Sequence, residues 1–168
     1  MTKNKLAPYS VASEKLVIGS LLREPGLLDD VRAIIPEADA FFRDDYGALY
    51  LAIREACTAH PGTDTAALIE ALVAGGAVKG DDAARTLREL AGFGQPPAGA
   101  RLHAKVIAEK ARRRRFIAVV CDIVHEAYYS EEPTDTIAQR AGERLSAIGP
   151  RPAAEGGIAA GQRGLAAR

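Results

Sequence analysis

Residues 100–129, ARLHAKVIAEKARRRRFIAVVCDIVHEAYY, contain neither glycine nor proline. With neither breaker present, nothing local interrupts i→i−4 hydrogen bonding, and the stretch predicts one helix of about 45 Å at about 1.5 Å per residue. Its apolar positions Leu102, Val106, Ile117, Cys121, Val124 and Tyr128 recur at threes and fours, the period of one helix face. Glu131-Glu132-Pro133 then turns the chain, and Thr134 or Asp135 is expected to cap a last helix with Ile137, Ala141, Leu145 and Ile148 inward. A long helix, a tight turn and a second helix make an antiparallel hairpin. Such a pair has one seam and buries little surface, so it requires a partner: the rest of the chain or another copy.

Upstream of this hairpin the sequence reads as a compact set of shorter helices. Ser10 is placed to accept from an unpaired first-turn amide, and Val17, Ile18, Leu21 and Leu22 give the first helix one apolar face. Pro25 suits the first turn of a second helix, whose stripe is Leu27, Leu28, Val31, Ile34 and Ile35. Asp44 or Asp45 is expected to cap a third helix carrying Tyr46, Leu49, Tyr50, Ile53 and Cys57. A fourth runs from about Asp64 to Ala74 with Leu68, Ile69 and Leu72 inward, stopped by Gly75 and Gly76. Asp81 or Asp82 is expected to cap a fifth, with Leu87 and Leu90. The Gly/Pro-containing segment 92–99 breaks the composition. The reading is all-α: a multi-helix head over 1–95, a long helical hairpin over 96–149, and a flexible Ala/Gly-rich tail over 150–168.

Bulk composition narrows the function. Twenty-two Lys+Arg balance 22 Asp+Glu, whereas affinity resting on phosphate contacts usually brings a basic excess. The amino-terminal stretch MTKNKLAPYS has no apolar core before a cleavage site, and no apolar run reaches the ~18–20 residues a membrane span needs. Two cysteines make no disulfide framework, so the cytoplasm is the expected compartment.

Taken in order, these residues resemble the amino-terminal domain of DnaB-type replicative DNA helicases. The resemblance is carried by Pro8-Tyr9-Ser10, Glu14 and Leu16-Val17-Ile18-Gly19-Ser20-Leu21-Leu22. It continues through Leu28-Asp29-Asp30-Val31, Phe41-Phe42, Leu49-Tyr50-x-Ala52-Ile53, Leu87-x-x-Leu90 and Val106-Ile107-x-Glu109-Lys110-Ala111. Ala127-Tyr128, Glu143 and Ile148 complete it. Each motif is mostly core leucines and caps; their shared order over residues 8–148 is the specific part. The resemblance implies a replication protein that forms a collar, pairing into dimers and a ring described as a trimer of dimers. It also implies docking of a primase, a helicase loader or a full-length replicative helicase, with DNA touched only indirectly and no membrane partner.

The departures are equally specific. The family's motor carries a P-loop, and no Gly-Lys-Ser/Thr occurs in these 168 residues, so ATP hydrolysis does not carry over. Tyr46 stands where many relatives have His, and Gly80-Asp81-Asp82 replaces a Gly-Gly turn. Arg112 and Arg113 occupy positions of the long helix that are usually apolar in the family.

The candidate oligomer or partner interface is therefore the hairpin: Val106, Arg112, Arg113, Ile117, Cys121, Val124, Tyr128, Ile137 and Leu145. Of the four successive arginines, at most two can face one nucleic-acid backbone, because successive helical residues turn about 100°. A solvated face or interface salt bridges, with Glu109 and Asp122 near, is the main reading. Arg114 and Arg115 as phosphate contacts would make the chain a DNA-binding regulatory protein, the alternative. Cys57 with His60 and Cys121 with His125 lack a short Cys-x2–4-Cys pair, and no metal or cofactor is expected. The acidic pairs Asp29–Asp30, Asp44–Asp45 and Asp81–Asp82 lie at helix starts, where carboxylates suit the dipole, and no catalytic constellation is evident.

Overall fold

The structure, a computed structural model, describes residues 7–149. Among them are seven α-helices, two short 3-10 turns and no strand. The helices are α1 Val11–Arg23, α2 Leu28–Ile34, α3 Asp44–Ala59, α4 Thr65–Ala74, α5 Ala83–Ala91, α6 Pro97–Tyr129 and α7 Thr134–Ala147. The tail expected over 150–168 lies outside the described residues.

The first helix is the axis of the head. Ser10 caps it, its Oγ accepting from Ser13 N, and Val17, Ile18, Leu21 and Leu22 are fully buried. Burying side chains of this size contributes about 1.5–3 kcal/mol each before entropy is counted. Val31 and Ile35 from the second helical segment, Leu49, Tyr50 and Ile53 of α3, Leu68, Ile69 and Leu72 of α4, and Leu87 of α5 close around it. Pro25 opens a 3-10 turn, Pro25–Leu27, that leads directly into α2. Asp64 caps α4 by accepting from Ala67 N at 2.8 Å. The same helix ends as the glycine pair predicts: Gly76 takes φ +67°, with Ala77 N donating to Leu72 O and Gly76 N to Val73 O.

Two expected caps are corrected, and a third holds in position only. Arg43, not Asp44 or Asp45, is the N-cap of α3, and both aspartates sit in the first turn. Asp82 occupies the N-cap of α5 without a side-chain bond to it. Pro133 precedes α7, leaving Thr134 and Asp135 helical. At α3 the need for a cap is met from elsewhere: Glu14 of α1 accepts from Phe42 N at 2.9 Å and Arg43 N at 3.2 Å.

The long helix begins three residues earlier than the glycine-free stretch, at Pro97, whose missing N–H is harmless in a first turn. Its first half returns to the head and packs chiefly on α1, then on α2. The inward face is Ala100, Ala104, Ile107 and Ala111, all buried, whereas Leu102 is 61% exposed. The expected stripe through Leu102 is thereby corrected. Alanines let two helix axes approach closely, and the larger leucine beside them turns to solvent. Beyond Ala111, α6 leaves the head and pairs with α7 as an antiparallel hairpin.

Candidate interaction surface

Residues 112–149 contain no buried side chain at all. Two stripes run along this outer half of α6. Arg112 and Glu126 both bond to residues of the returning arm, so Phe116, Val119 and Ile123, in phase between them, share the face toward α7. One residue on, and so about 100° around the helix, Ile117, Cys121, Val124 and Tyr128 form a second stripe at spacings of four, three and four. Ile117 is 46% exposed, Val124 48% and Tyr128 80%, and Cys121 is exposed as well.

The other candidate residues are distributed around these stripes. Val106 is half-buried on the part of α6 that lies over the head. Ile137 is half-buried on α7, and Leu145 is 38% exposed beside Phe116 and Ile148. None of the apolar positions expected inward on α7 reaches full burial. At the hairpin tip His125, Tyr128 and Tyr129 cluster, with 4.6 Å between the His125 and Tyr129 rings.

Each of the four arginines has an intramolecular partner. Arg112 donates to the Gly149 carbonyl, and Arg113 pairs with Glu109 one turn back at 3.1 Å. Arg114 donates to the carbonyls of Pro8, Asp39 and Ala40 at 3.0, 3.2 and 2.7 Å. Arg115 grips both carboxylate oxygens of Asp39. Arg114 and Arg115 thus tie α6 to the 3-10 turn Ala38–Ala40, where the helix leaves the head. Their hydrogen-bond capacity is turned toward backbone and Asp39, and this is where the structure places the two residues considered for phosphate.

Polar groups also join the two arms of the hairpin. Glu126 receives Arg140 on one oxygen and Arg144 on the other, the latter at 3.0 Å, and Arg140 reaches Glu132 at 2.5 Å. The bond to Glu132 and the Glu126 charge hold the Arg140 guanidinium above its ordinary range. This constellation escaped sequence reading. Arginines at 140 and 144 share a helix face, but their carboxylate lies across a turn whose register only the fold defines.

On the head, Tyr9 stacks on Phe42 with ring centroids 4.5 Å apart, and Phe41 is buried against Tyr50. Cys57 lines a cleft of about 380 Å³ with Asp29, Arg32 and Thr58, and burial pushes its thiol up, favouring the neutral small side chain. Among the described residues no group of three His, Cys, Asp or Glu side chains is placed to hold a metal, and no helix is long and apolar enough to cross a membrane.

Taken together, these features define an all-helical head-and-hairpin domain whose hairpin lacks a core of its own. The chain belongs to the DnaB-like helicase N-terminal domain family, which it matches over residues 6–109. It is 22% identical over 147 residues to the replicative DNA helicase DnaB of Geobacillus stearothermophilus, covering 88% of this chain and 32% of that protein. The chain therefore spans about a third of the length of that relative. The crystal structure of the N-terminal domain of DnaB helicase from Mycobacterium tuberculosis has a similar fold. Its TM-score is 0.69 at 22% identity, covering 84% of this chain and 99% of that one. The matched unit is the N-terminal domain and not a motor, and the family match ends at Glu109, before the outer half of the hairpin.

Proposed function

We propose that this chain is a helicase-collar module in DNA replication that self-associates through its hairpin and docks other replication proteins. The single observation that carries this reading is the exposed stripe Ile117, Cys121, Val124 and Tyr128, on the outer part of the hairpin, residues 112–149, where no residue is buried. A contiguous apolar row at this spacing is the seam two helices use to pack on each other. Exposed aromatic and aliphatic rows of this kind mark interaction sites more than they mark ordinary surface. The hairpin tip adds Tyr128 and Tyr129, and large rings dominate the energetics of protein interfaces.

Family membership supplies the context for the partners. A second copy completes the seam, pairs close into a ring as a trimer of dimers, and a primase, a loader or a full-length replicative helicase docks on that assembly. DNA is reached through those partners, because Arg114 and Arg115 are engaged within the chain and the net charge is zero. In this role the module hydrolyses no nucleotide.

Light scattering at tens of micromolar tests the proposal: the expected mass is a dimer or a multiple of one. Val124→Asp places a charge in the middle of the seam, where an unpaired charge is costly to bury, and should return a monomer with an intact head. A wild-type chain that stays monomeric at those concentrations overturns the reading. Docking is tested with purified primase, loader and helicase by co-elution, in which the wild type binds and Val124→Asp loses whatever depends on assembly.

A further inference from the structure

The two arms of the hairpin are held together differently from the head. The head closes on fully buried aliphatic side chains, while α7 buries none. What joins α7 to α6 is largely polar, with only half-buried apolar contacts beside it. Glu126, in the last turn of α6, is shared by Arg140 midway along α7 and Arg144 in its last turn, and Arg140 also reaches Glu132 in the connecting turn. At the base, Arg112 donates to the carbonyl of Gly149, just past the last turn of α7. Beside these bonds lie half-buried positions and a shallow groove where Phe116, 52% exposed, meets Leu145 and Ile148.

From this contrast we infer that in the unassembled chain α7 is a releasable arm, fastened to α6 by this polar clasp and opening independently of the head. Local opening is governed by the apolar contacts a segment shares with the rest, and α7 shares few. The clasp residues are partly solvated, with side chains 36% exposed for Arg140, 41% for Arg144 and 16% for Glu126. Their attraction is therefore screened by salt, unlike the contacts of the head. Release also removes one wall from the stripe of Phe116, Val119 and Ile123, which adjoins the seam. Salt or any competitor for Glu126 would then control how much chain is ready to assemble. That last consequence rests on the proposed self-association; the opening itself does not.

Hydrogen exchange read by mass spectrometry tests the inference on the full chain. The wild type is compared with Val124→Asp, which alters the seam and no clasp residue, so opening is read whether or not the chain assembles. In Val124→Asp the amides of α7 should exchange at least about tenfold faster than those of α1. Raising sodium chloride from about 0.05 to about 1 M should widen that ratio. Chloride is used because sulfate strengthens apolar burial. Glu126→Gln at low salt should reproduce the high-salt rate in α7 and respond little to further salt. Arg144→Gln should shift it the same way. The amides of α1 report in the same spectra that the head is folded, and Asp30→Asn, which breaks the exposed Arg101 pair, should leave α7 unchanged. A common exchange rate for α7 and α1, or an α7 rate indifferent to both salt and Glu126→Gln, overturns the inference. Light scattering on the same samples reports self-association separately.

Discussion

The carboxylate of Glu14, in the first turn of α1, caps the start of α3 by accepting from the backbone N–H of Arg43 at 3.2 Å and its neighbour Phe42 at 2.9 Å. Glu14 is itself only 1% exposed, so the head closes on a charged group whose partners are main-chain amides. Glu14→Ala orphans two amides and should destabilise by about 2 kcal/mol or more. Glu14→Gln keeps an acceptor and should lose about half as much. Urea unfolding followed by circular dichroism measures both. A Glu14→Ala midpoint within error of wild type would show that the amides find water instead.

Gly19 is a second place where backbone meets backbone. A Cβ built there lies 2.5 Å from the Leu90 carbonyl oxygen and 3.1 Å from Gly94 N. In a solvent-exposed helix interior, glycine to alanine stabilises by about 0.5–1 kcal/mol. Here the clash outweighs that gain, and Gly19→Ala should destabilise by about 1–3 kcal/mol. Gly26→Ala, with nothing within 4 Å, serves as the comparison and should be near neutral. A rise in the unfolding midpoint for Gly19→Ala refutes the close approach.

Tyr50 is fully buried and its hydroxyl donates to the Ile35 carbonyl at 2.6 Å. Removing the hydroxyl leaves that carbonyl without its partner, so Tyr50→Phe should cost about 1–3 kcal/mol near neutral pH. Burial also raises the pKa of this phenol. Because the folded value lies above the unfolded value of about 10, the folded state favours the neutral form. Stability is fully present below about pH 10 and is lost as pH rises through the folded value. Wild type should therefore lose stability above about pH 10 more steeply than Tyr50→Phe, measured as urea midpoints along a pH series. Parallel slopes would show that the phenol does not titrate with unfolding.

Capping shows where reading the sequence succeeds and where it stops. Ser10, a short acceptor just before an apolar period, caps its own helix as expected, and Asp64, where the fourth helix is expected to start, caps that one. Asp44, Asp45, Thr134 and Asp135 have the same chemistry, but their helices begin one or two residues earlier than such residues alone imply. Arg43 draws Asp45 aside in a bidentate pair, which holds the Asp45 carboxyl below its ordinary range, and Glu14 supplies the missing acceptor from a distant part of the chain. No local pattern can display a bond between residues that far apart. Asp64→Ala should accordingly cost about 1 kcal/mol and Asp82→Ala, which has no side-chain cap bond, only a few tenths. Equal losses in thermal unfolding would contradict the assignment.

The long helix makes the same point about packing. Its length, its hairpin partner and its apolar period were legible because the glycine-free stretch and Pro133 are local signals. The choice of inward face was not legible, since size was read as burial. Ala104 is fully buried against the head, whereas Leu102 beside it is 61% exposed. The two positions therefore predict opposite responses to a change in volume. Ala104→Leu adds a branched chain where the alanine face of α6 meets the head, and should destabilise by about 1–3 kcal/mol. Leu102→Ala removes a larger side chain yet should change stability by less than about 0.5 kcal/mol. Were Leu102 buried by assembly, Leu102→Ala would lower the oligomeric mass at fixed concentration while the head retained its unfolding midpoint. Urea unfolding and light scattering on the same two variants separate these outcomes. A large loss in Leu102→Ala with no loss in Ala104→Leu would set nearly the opposite face of α6 against the head, since two residues turn a helix by about 200°.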